Sequence, residues 1–273
     1  RRGYAPFMFC TSCQWVPMCV NCDVSLTYHK HSDSLRCHLC GYRRKPVHIC
    51  PACGSSRIIL QGFGTEKIED DLKLLFPEAK IARMDYDTVR TRHGHEQVIH
   101  AFEAGETDIL VGTQMVTKGL DFGNVSLVGI VAADPLWHFP EFRANERAYQ
   151  MMAQVSGRAG RKKKQGEVLI QAFEVGHPIL KHVTESDFAD FYEMEIQQRE
   201  NFKYPPFYRL IALTLKHRKV EVVNKASRWL AVELRKFLGS RVFGPASPQV
   251  PRVRNQFQNE ILVKMQRDVD SLV

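Results

Sequence analysis

The alternation of apolar and polar positions changes character after Cys53 and again at Asp187. Between those points short β-branched runs take turns with helical spacings. Arg57–Leu60 reads as a strand, and Gly62–Glu66 as a turn into a helix with Thr65 as its cap. Leu72, Leu74, Leu75 and Phe76 supply the apolar side of that helix before Pro77 stops it. Lys80–Met84 is a second strand, His95–Phe102 a second helix, and Asp108–Val111 a short buried strand. Val125–Val131 and Val168–Gln171 are further β-branched runs. Strands alternating with helices predict an α/β domain, a parallel sheet with helical crossovers.

Past Asp187 the pattern predicts a helix over Phe188–Phe202, broken at Tyr204-Pro-Pro-Phe207. Arg209–Leu215 alternates like a strand, and Val220–Leu238 carries the spacing of an amphipathic helix. Val250–Arg254 and Ile261–Lys264 read as two more strands. Together these predict a small α+β domain packed on the lobe before it, with Arg252, Arg254 and Lys264 as a basic stretch. No internal repeat or low-complexity segment interrupts the chain.

The 273 residues, 44% hydrophobic and 25% charged, are enough for two domains with a sizeable core. No apolar run approaches the roughly 18 residues of a spanning helix, so no membrane partner is expected. The opening RRGYAPFMF lacks the long apolar region and small-residue cleavage site of an export signal. It also lacks an initial Met, so the expectation is a piece of a longer, cytoplasmic protein. A net charge of +8 favours polyanionic partners, nucleic acid first.

All eight cysteines lie between Cys10 and Cys53, as four Cys-x-x-Cys pairs. Two residues between thiolates form a knuckle that turns both sulfurs toward one tetrahedral ion, so four knuckles supply two four-thiolate zinc sites. Gly41 and Gly54 follow the second cysteine of their pairs, where the turn calls for a left-handed residue. Disulfides and iron–sulfur clusters are the competing readings; nothing suggests export, and neither common ferredoxin spacing fits. A closed four-thiolate shell leaves no position for water, which makes the zinc structural. Spacing leaves the pairing open. It is either nested (Cys19, Cys22, Cys37 and Cys40 inside Cys10, Cys13, Cys50 and Cys53) or sequential. Four histidines nearby, His29, His31, His38 and His48, read as surface or nucleic-acid-facing residues, since eight thiols already complete two sites. Tyr28, Lys30, Arg36, Tyr42, Arg43, Arg44 and Lys45 interleave charge with aromatic rings, a composition suited to single-stranded nucleic acid or to plain solvated surface.

Polar loops sit where strands end, the usual edge for a site on an open α/β sheet; one, Asp134–Arg147, carries Arg143, Glu146 and Arg147 on a helix leading into Gln154. In Asp108–Phe122, DILVGTQMVTKGLDF, a strand runs into Gly-Thr-Gln, whose donors suit a phosphate backbone, then to Lys118, Gly119 and Asp121. In Gln154–Arg161, QVSGRAGR, Arg158 and Arg161 stand three apart on one helical side. Arginine is planar, permanently charged and bidentate toward phosphate. The competing reading is an exposed basic turn running into Arg161–Lys164.

The stretches Asp108–Phe122 and Gln154–Arg161 resemble motifs V and VI of superfamily 2 helicases, which belong to the second RecA-like lobe. With the eight-cysteine array, the preceding RRGY, the following GTEKIEDDL and AADPLWHFPEFRANER, the chain resembles the primosomal protein N′ (PriA) family of bacterial replication-restart helicases. The resemblance implies a division into 1–9 (start of lobe 2), 10–56 (inserted double-zinc module), 57–185 (RecA-like lobe) and 186–273 (C-terminal α+β domain). It implies nested zinc pairing. It implies that Arg161, with Arg158 and Gln154 beside it, faces the γ-phosphate of a Mg2+-bound ATP as an arginine finger. Gly119 and Asp121 would contact nucleotide, and Thr113, Gln114 and Lys118 the DNA strand. Implied partners are forked and single-stranded DNA, single-strand-binding protein, other primosome proteins and a first helicase lobe, with the basic stretch Arg252, Arg254 and Lys264 serving DNA or the single-strand-binding protein. The segment Asn255–Asn259 departs from the basic, aromatic character usual there in the family. No G-x-x-x-x-G-K-[ST] occurs and no DEAH-type box, so the expectation is half an ATPase, inactive alone. The alternative is a zinc-bearing nucleic-acid-binding scaffold without motor activity.

Overall fold

The computed structural model describes residues 4–5, 7–85, 92–113, 116, 125–157 and 166–266. The chain divides into two compact units, Arg1–Phe122 with Arg252–Asn255, and Gly123–Pro251 with Gln256–Val273.

In the first unit β1 (Phe7–Cys10) pairs antiparallel with β5 (Ile58–Gln61), from Phe7 opposite Gln61 to Cys10 opposite Ile58. This ribbon closes the base of the cysteine-rich segment. Within the segment β2 (Thr27–His29), β3 (Ser34–Arg36) and β4 (Arg43–Arg44) form an antiparallel sheet in that order. Its core is small: Met8, Leu26 and Leu35 with Cys19, Cys22 and Cys37, covered by Val24, Tyr28, Tyr42, Ile58 and Val253.

Next comes α1 (Thr65–Leu75), whose Glu66 in the first turn and Lys73 in the last complement the helix dipole. Two expectations fail here. Thr65 is not the cap; Gly64 is, and the Thr65 hydroxyl donates to buried Asp85 at 2.5 Å. Nor do all the leucines face a core: Leu72 is half-buried, but Leu74 and Leu75 are 82% and 71% exposed, Phe76 is also exposed, and the buried residues are Thr65 and Glu66. β6 (Ile81–Met84), α2 (Arg92–Glu103) and β7 (Ile109–Gly112) form a strand–helix–strand unit with β6 and β7 parallel, Met84 opposite Gly112. A Cβ on Gly112 would lie 2.7 Å from the Met84 carbonyl oxygen, so the close strand approach requires glycine.

The second unit holds another parallel pair, β8 (Leu127–Ile130) with β9 (Glu167–Ile170), and between them α3 (Ala144–Ser156). α4 (Pro178–Thr184) and α5 (Phe188–Asn201) follow. Ala133, Trp137, Tyr149, Met152, Ile179 and Phe191 build the core among them. Asp134 accepts the Glu174 and Phe173 backbone N–H groups, which outweigh burial and hold its carboxyl below the usual range.

β10 (Tyr208–His217), α6 (Val220–Leu238) and β11 (Val242–Ala246) come next; beyond β12 (Arg252–Val253, in the first unit) runs β13 (Gln256–Gln266). β13 pairs antiparallel with β10 and with β11. α6 lays Val223, Ser227 and Ala231, one per turn, toward these strands. Asn259 donates to Asn224 and Ser227 at 2.9 Å, satisfying the polar group in that face. Lys264, expected in a basic contact surface, is buried instead. Its Nζ donates to the Phe202 carbonyl at 2.6 Å and lies over the Tyr204 ring. Among the described residues no helix is long and apolar enough to cross a membrane.

Candidate metal centres and lobe residues

Each Cys-x-x-Cys pair folds by the same local hydrogen bond. The N–H of the first cysteine donates to the carbonyl five residues on: Cys10 to Trp15, Cys19 to Val24, Cys37 to Tyr42 and Cys50 to Ser55, all at 2.8–2.9 Å. In three knuckles a second bond closes the turn, from Gln14, Gly41 and Gly54 back to the first cysteine's carbonyl. All three donors are left-handed, at φ 61°, 81° and 72°. Gly41 and Gly54 are as the spacing predicts; Gln14 takes the same conformation without a glycine's freedom.

The knuckles meet in nested fashion. Cys19, Cys22, Cys37 and Cys40 form an inner cluster, and Cys10, Cys13, Cys50 and Cys53 an outer one, each with its sulfurs within 4.8 Å of one another. Cys19 and Cys40 stand 3.5 Å apart, Cys10 and Cys53 3.6 Å, Cys13 and Cys50 3.6 Å. A tetrahedral zinc with bonds of ~2.3 Å sets its sulfurs ~3.8 Å apart, whereas a disulfide needs ~2.05 Å. The two four-cysteine clusters therefore fit a double-zinc module. N–H groups already point at the sulfurs: Asn21 at Cys19, Tyr42 at Cys40 and Arg254 at Cys22, at 3.3–3.4 Å. Burial, joined by the Cys40 and Cys37 sulfurs, pushes the Cys19 thiol up to about 12. A dication among the four sulfurs makes the thiolates favourable there.

A buried polar joint ties the module to the start of α1. His29, expected at the surface, is 2% exposed, with Nδ1 3.4 Å from Glu66 and Nε2 3.4 Å from His38. Lys30 N–H donates to Glu66 at 2.9 Å, and Arg83 reaches Glu66, Glu69 and Asp85 at 3.0–3.3 Å. Burial pushes the Glu66 carboxyl up, but His29, the Lys30 N–H and the Arg83 charge outweigh it and hold it at about 2. His31, His38 and His48 are exposed.

Arg252 and Arg254, the basic stretch of the sequence, are bonded to the inner knuckles, Arg252 to Asp23 and Val20 and Arg254 to Leu39. No local sequence signal pairs residues this far apart. A cluster of His182, Asp187 and Asp190 has a structural task, since Asp187 caps α5 by accepting the Asp190 N–H.

Of the lobe residues, half-buried Thr113 directly follows β7, and its carbonyl accepts the Val116 N–H at 3.0 Å. Gln154 lies exposed in the last turns of α3. Gln114, Lys118, Gly119, Asp121, Arg158 and Arg161 lie outside the described residues. The helix carrying Gln154 is fixed at its start by carboxylates: Glu146 holds Arg143 at 2.8 Å and also Arg199, and Glu141 holds Arg147. Arg143 and Arg147 thus have partners within the fold.

Residues 19–45 match the PriA DNA helicase Cys-rich region (CRR) domain. Residues 54–163 match the Helicase conserved C-terminal domain, and residues 200–272 the Primosomal protein N C-terminal domain. The chain is 38% identical over 270 residues to the Replication restart protein PriA of Bacillus subtilis (strain 168), covering 98% of this chain and 34% of that protein. The proteins of the same name from Synechocystis sp. and Treponema pallidum are 39% and 40% identical, each over 97% of this chain and over 32% and 40% of their own lengths.

The chain belongs to the PriA family. It spans about a third of the length of these curated relatives. In PriA terms the fold is a helicase C-terminal lobe bearing the cysteine-rich zinc region, followed by the PriA C-terminal domain. The Cys-rich-region match takes in the whole inner cluster, and the outer cysteines fall on either side of it.

Proposed function

We propose that this chain is the C-terminal half of an ATP-dependent DNA helicase that restarts stalled replication forks. The observation supporting it is a helicase C-terminal domain and a PriA C-terminal domain on one chain with a nested double four-cysteine module. In this reading Arg161 is the arginine finger, with Arg158 and Gln154 beside it, facing the γ-phosphate of a Mg2+-bound ATP that a first lobe holds. Gly119 and Asp121 contact that nucleotide. Thr113, Gln114 and Lys118 grip the DNA strand, which is forked or single-stranded. Cys10, Cys13, Cys50 and Cys53 hold one zinc, and Cys19, Cys22, Cys37 and Cys40 the other. The functional parts are 1–9 and 57–185 for the lobe, 10–56 for the zinc insertion and 186–273 for the C-terminal domain. Single-strand-binding protein and primosome proteins are the partners, and the protein works in the bacterial cytoplasm.

The chemistry follows from the side chains. Phosphoryl transfer spreads charge over the transferred group, and an arginine delivered across a lobe interface neutralises it only when the lobes close. Hydrolysis is thereby coupled to closure, and alternate gripping by two lobes moves the motor along a strand. This chain has no phosphate-cradling loop, so alone it neither hydrolyses ATP nor binds it tightly.

The test is Arg161→Ala in a protein that carries the ATP-binding lobe. DNA-stimulated hydrolysis should fall by about 10³-fold or more, with zinc content and DNA affinity unchanged. Collapse of DNA affinity instead would make these arginines backbone contacts, and DNA-stimulated hydrolysis by the 273-residue chain alone would sink the half-site reading.

A further inference from the structure

The second knuckle is built differently from the other three. Where Gln14, Gly41 and Gly54 close their own turns, the equivalent residue is Asp23, which is not left-handed. Its N–H donates to the carbonyl of Arg252 at 2.9 Å, a residue 229 positions away. The bond that a local turn supplies elsewhere is supplied here by a remote one.

The rest of that remote turn is fitted to the same cluster. Arg254 N–H donates to the Cys22 sulfur at 3.3 Å, and Asn255 N–H to the Asn21 carbonyl at 2.8 Å. Arg252 donates to Asp23 Oδ1 at 2.9 Å and to the Val20 carbonyl at 3.1 Å. Arg254 crosses to the partner knuckle, donating to the Leu39 carbonyl at 3.1 Å, and the Asn255 amide meets Asn21 at 3.0 Å. Val253 packs against the core of Leu26 and Leu35. Arg254 and Asn255 are both left-handed without being glycine, at φ 52° and 60°. Two consecutive left-handed residues are the geometry of a two-residue type I′ turn, which presents this tip to the knuckles.

We propose that Arg252–Asn255 is a working part of the inner metal site: it completes the second knuckle, orients Cys22 and holds the two inner knuckles together. The inference rests on the reading that both clusters hold zinc. Zinc retention at the inner site depends on this turn, and retention at the outer site does not. Ligand geometry is tuned by the groups that hydrogen-bond the ligands, and losing such partners costs roughly ten- to a hundredfold in metal affinity. Residues that look like a basic nucleic-acid contact are here spent on a metal-site clasp.

The experiment loads the chain with zinc, counts the ions, and follows their release to a chromogenic chelator. Timed thiol alkylation with peptide mapping reports which cysteines open. The Arg252→Ala/Arg254→Ala variant should release its inner zinc on the order of tenfold faster, with alkylation speeding at Cys19, Cys22, Cys37 and Cys40. Release and alkylation at Cys10, Cys13, Cys50 and Cys53 should not change. Arg254→Ala alone removes only the side-chain bond to Leu39 and should give a smaller acceleration in the same phase; it carries the test if the double variant does not fold. An unchanged inner phase, or equal acceleration of both, overturns the proposal. Unchanged release with weakened binding to a single-stranded oligonucleotide also overturns it, returning the arginines to DNA. Fewer than two zinc ions in the unsubstituted chain would instead refute the zinc reading and this inference with it.

Discussion

The two cysteine clusters share one ligand set and differ in nearly everything around it. Around the inner cluster Cys19, Cys22 and Cys37 are at most 3% exposed and belong to the same core as Met8, Leu26 and Leu35. In the outer cluster Cys10 and Cys50 are buried but Cys13 and Cys53 are exposed. The outer site is a clip at the two ends of the insertion, where β1 ends and β5 is about to begin, and both its knuckles close their own turns. The inner site organises a core too small to hold itself, and one of its knuckles borrows a hydrogen bond from far along the chain. Identical coordination chemistry thus serves as a fastener in one place and as a folding centre in the other.

The largest effect that tests this contrast is removal of zinc. Structural zinc in small modules supplies about 10 kcal/mol or more of folding energy. Chelation should therefore erase hydrogen-exchange protection across 19–45 while β10, α6 and β13 keep theirs. Retained protection in the stripped module would mean that its apolar core suffices without metal.

Single ligand replacements come next. Cys22→Ser and Cys53→Ser should each lower the zinc count to about one per chain, one ion per intact four-thiolate site. Only Cys22→Ser should also lower the melting temperature sharply, because it removes a ligand from the site around which the small inner core is organised. Equal melting losses would erase the distinction drawn here. Below these stands Leu35→Ala, expected to cost about 2–5 kcal/mol in chemical denaturation. Exposed Ile49→Ala, beside the outer site, should stay within about 0.5 kcal/mol.

A separate predicted effect is set by pH. The Glu66 carboxyl is held at about 2 against an ordinary 4.5, so its contribution to stability is present above about 4.5 and is lost as pH falls toward 2. Glu66→Gln should flatten that part of the stability profile, read from denaturation midpoints across the acid range. A profile as steep as that of the unsubstituted chain would remove Glu66 from the joint.

Local chemistry was legible in the sequence; long-range geometry was not. The Cys-x-x-Cys knuckle is a contiguous turn, so its spacing announces both ligands and the left-handed Gly41 and Gly54. Amphipathic spacing placed α6 at Val220–Leu238 because packing and propensity agree there. β11 went unpredicted because Val242–Ala246 contains Gly244 and Pro245, which argue against a strand. The run Leu74–Phe76 reads as a core face yet lies exposed, since apolar spacing does not say which side of a helix finds a neighbour. His29 and Lys264 read as surface because polar residues usually are, and Arg252 and Arg254 read as an open basic stretch. Each is committed to a partner 35 or more positions away, which no periodicity encodes. Resemblance, rather than spacing, favoured nested pairing of the cysteines, and the structure brings them together that way.

The most direct test of two nested, unequally protected centres is cysteine-resolved alkylation during a chelator challenge of the zinc-loaded chain. Two ions per chain are expected. The first should leave as Cys10, Cys13, Cys50 and Cys53 become reactive together, and the second only later, with Cys19, Cys22, Cys37 and Cys40. Reactivity that appears jointly in Cys10, Cys13, Cys19 and Cys22 would contradict the nested pairing, and simultaneous loss of both ions would contradict the difference in protection.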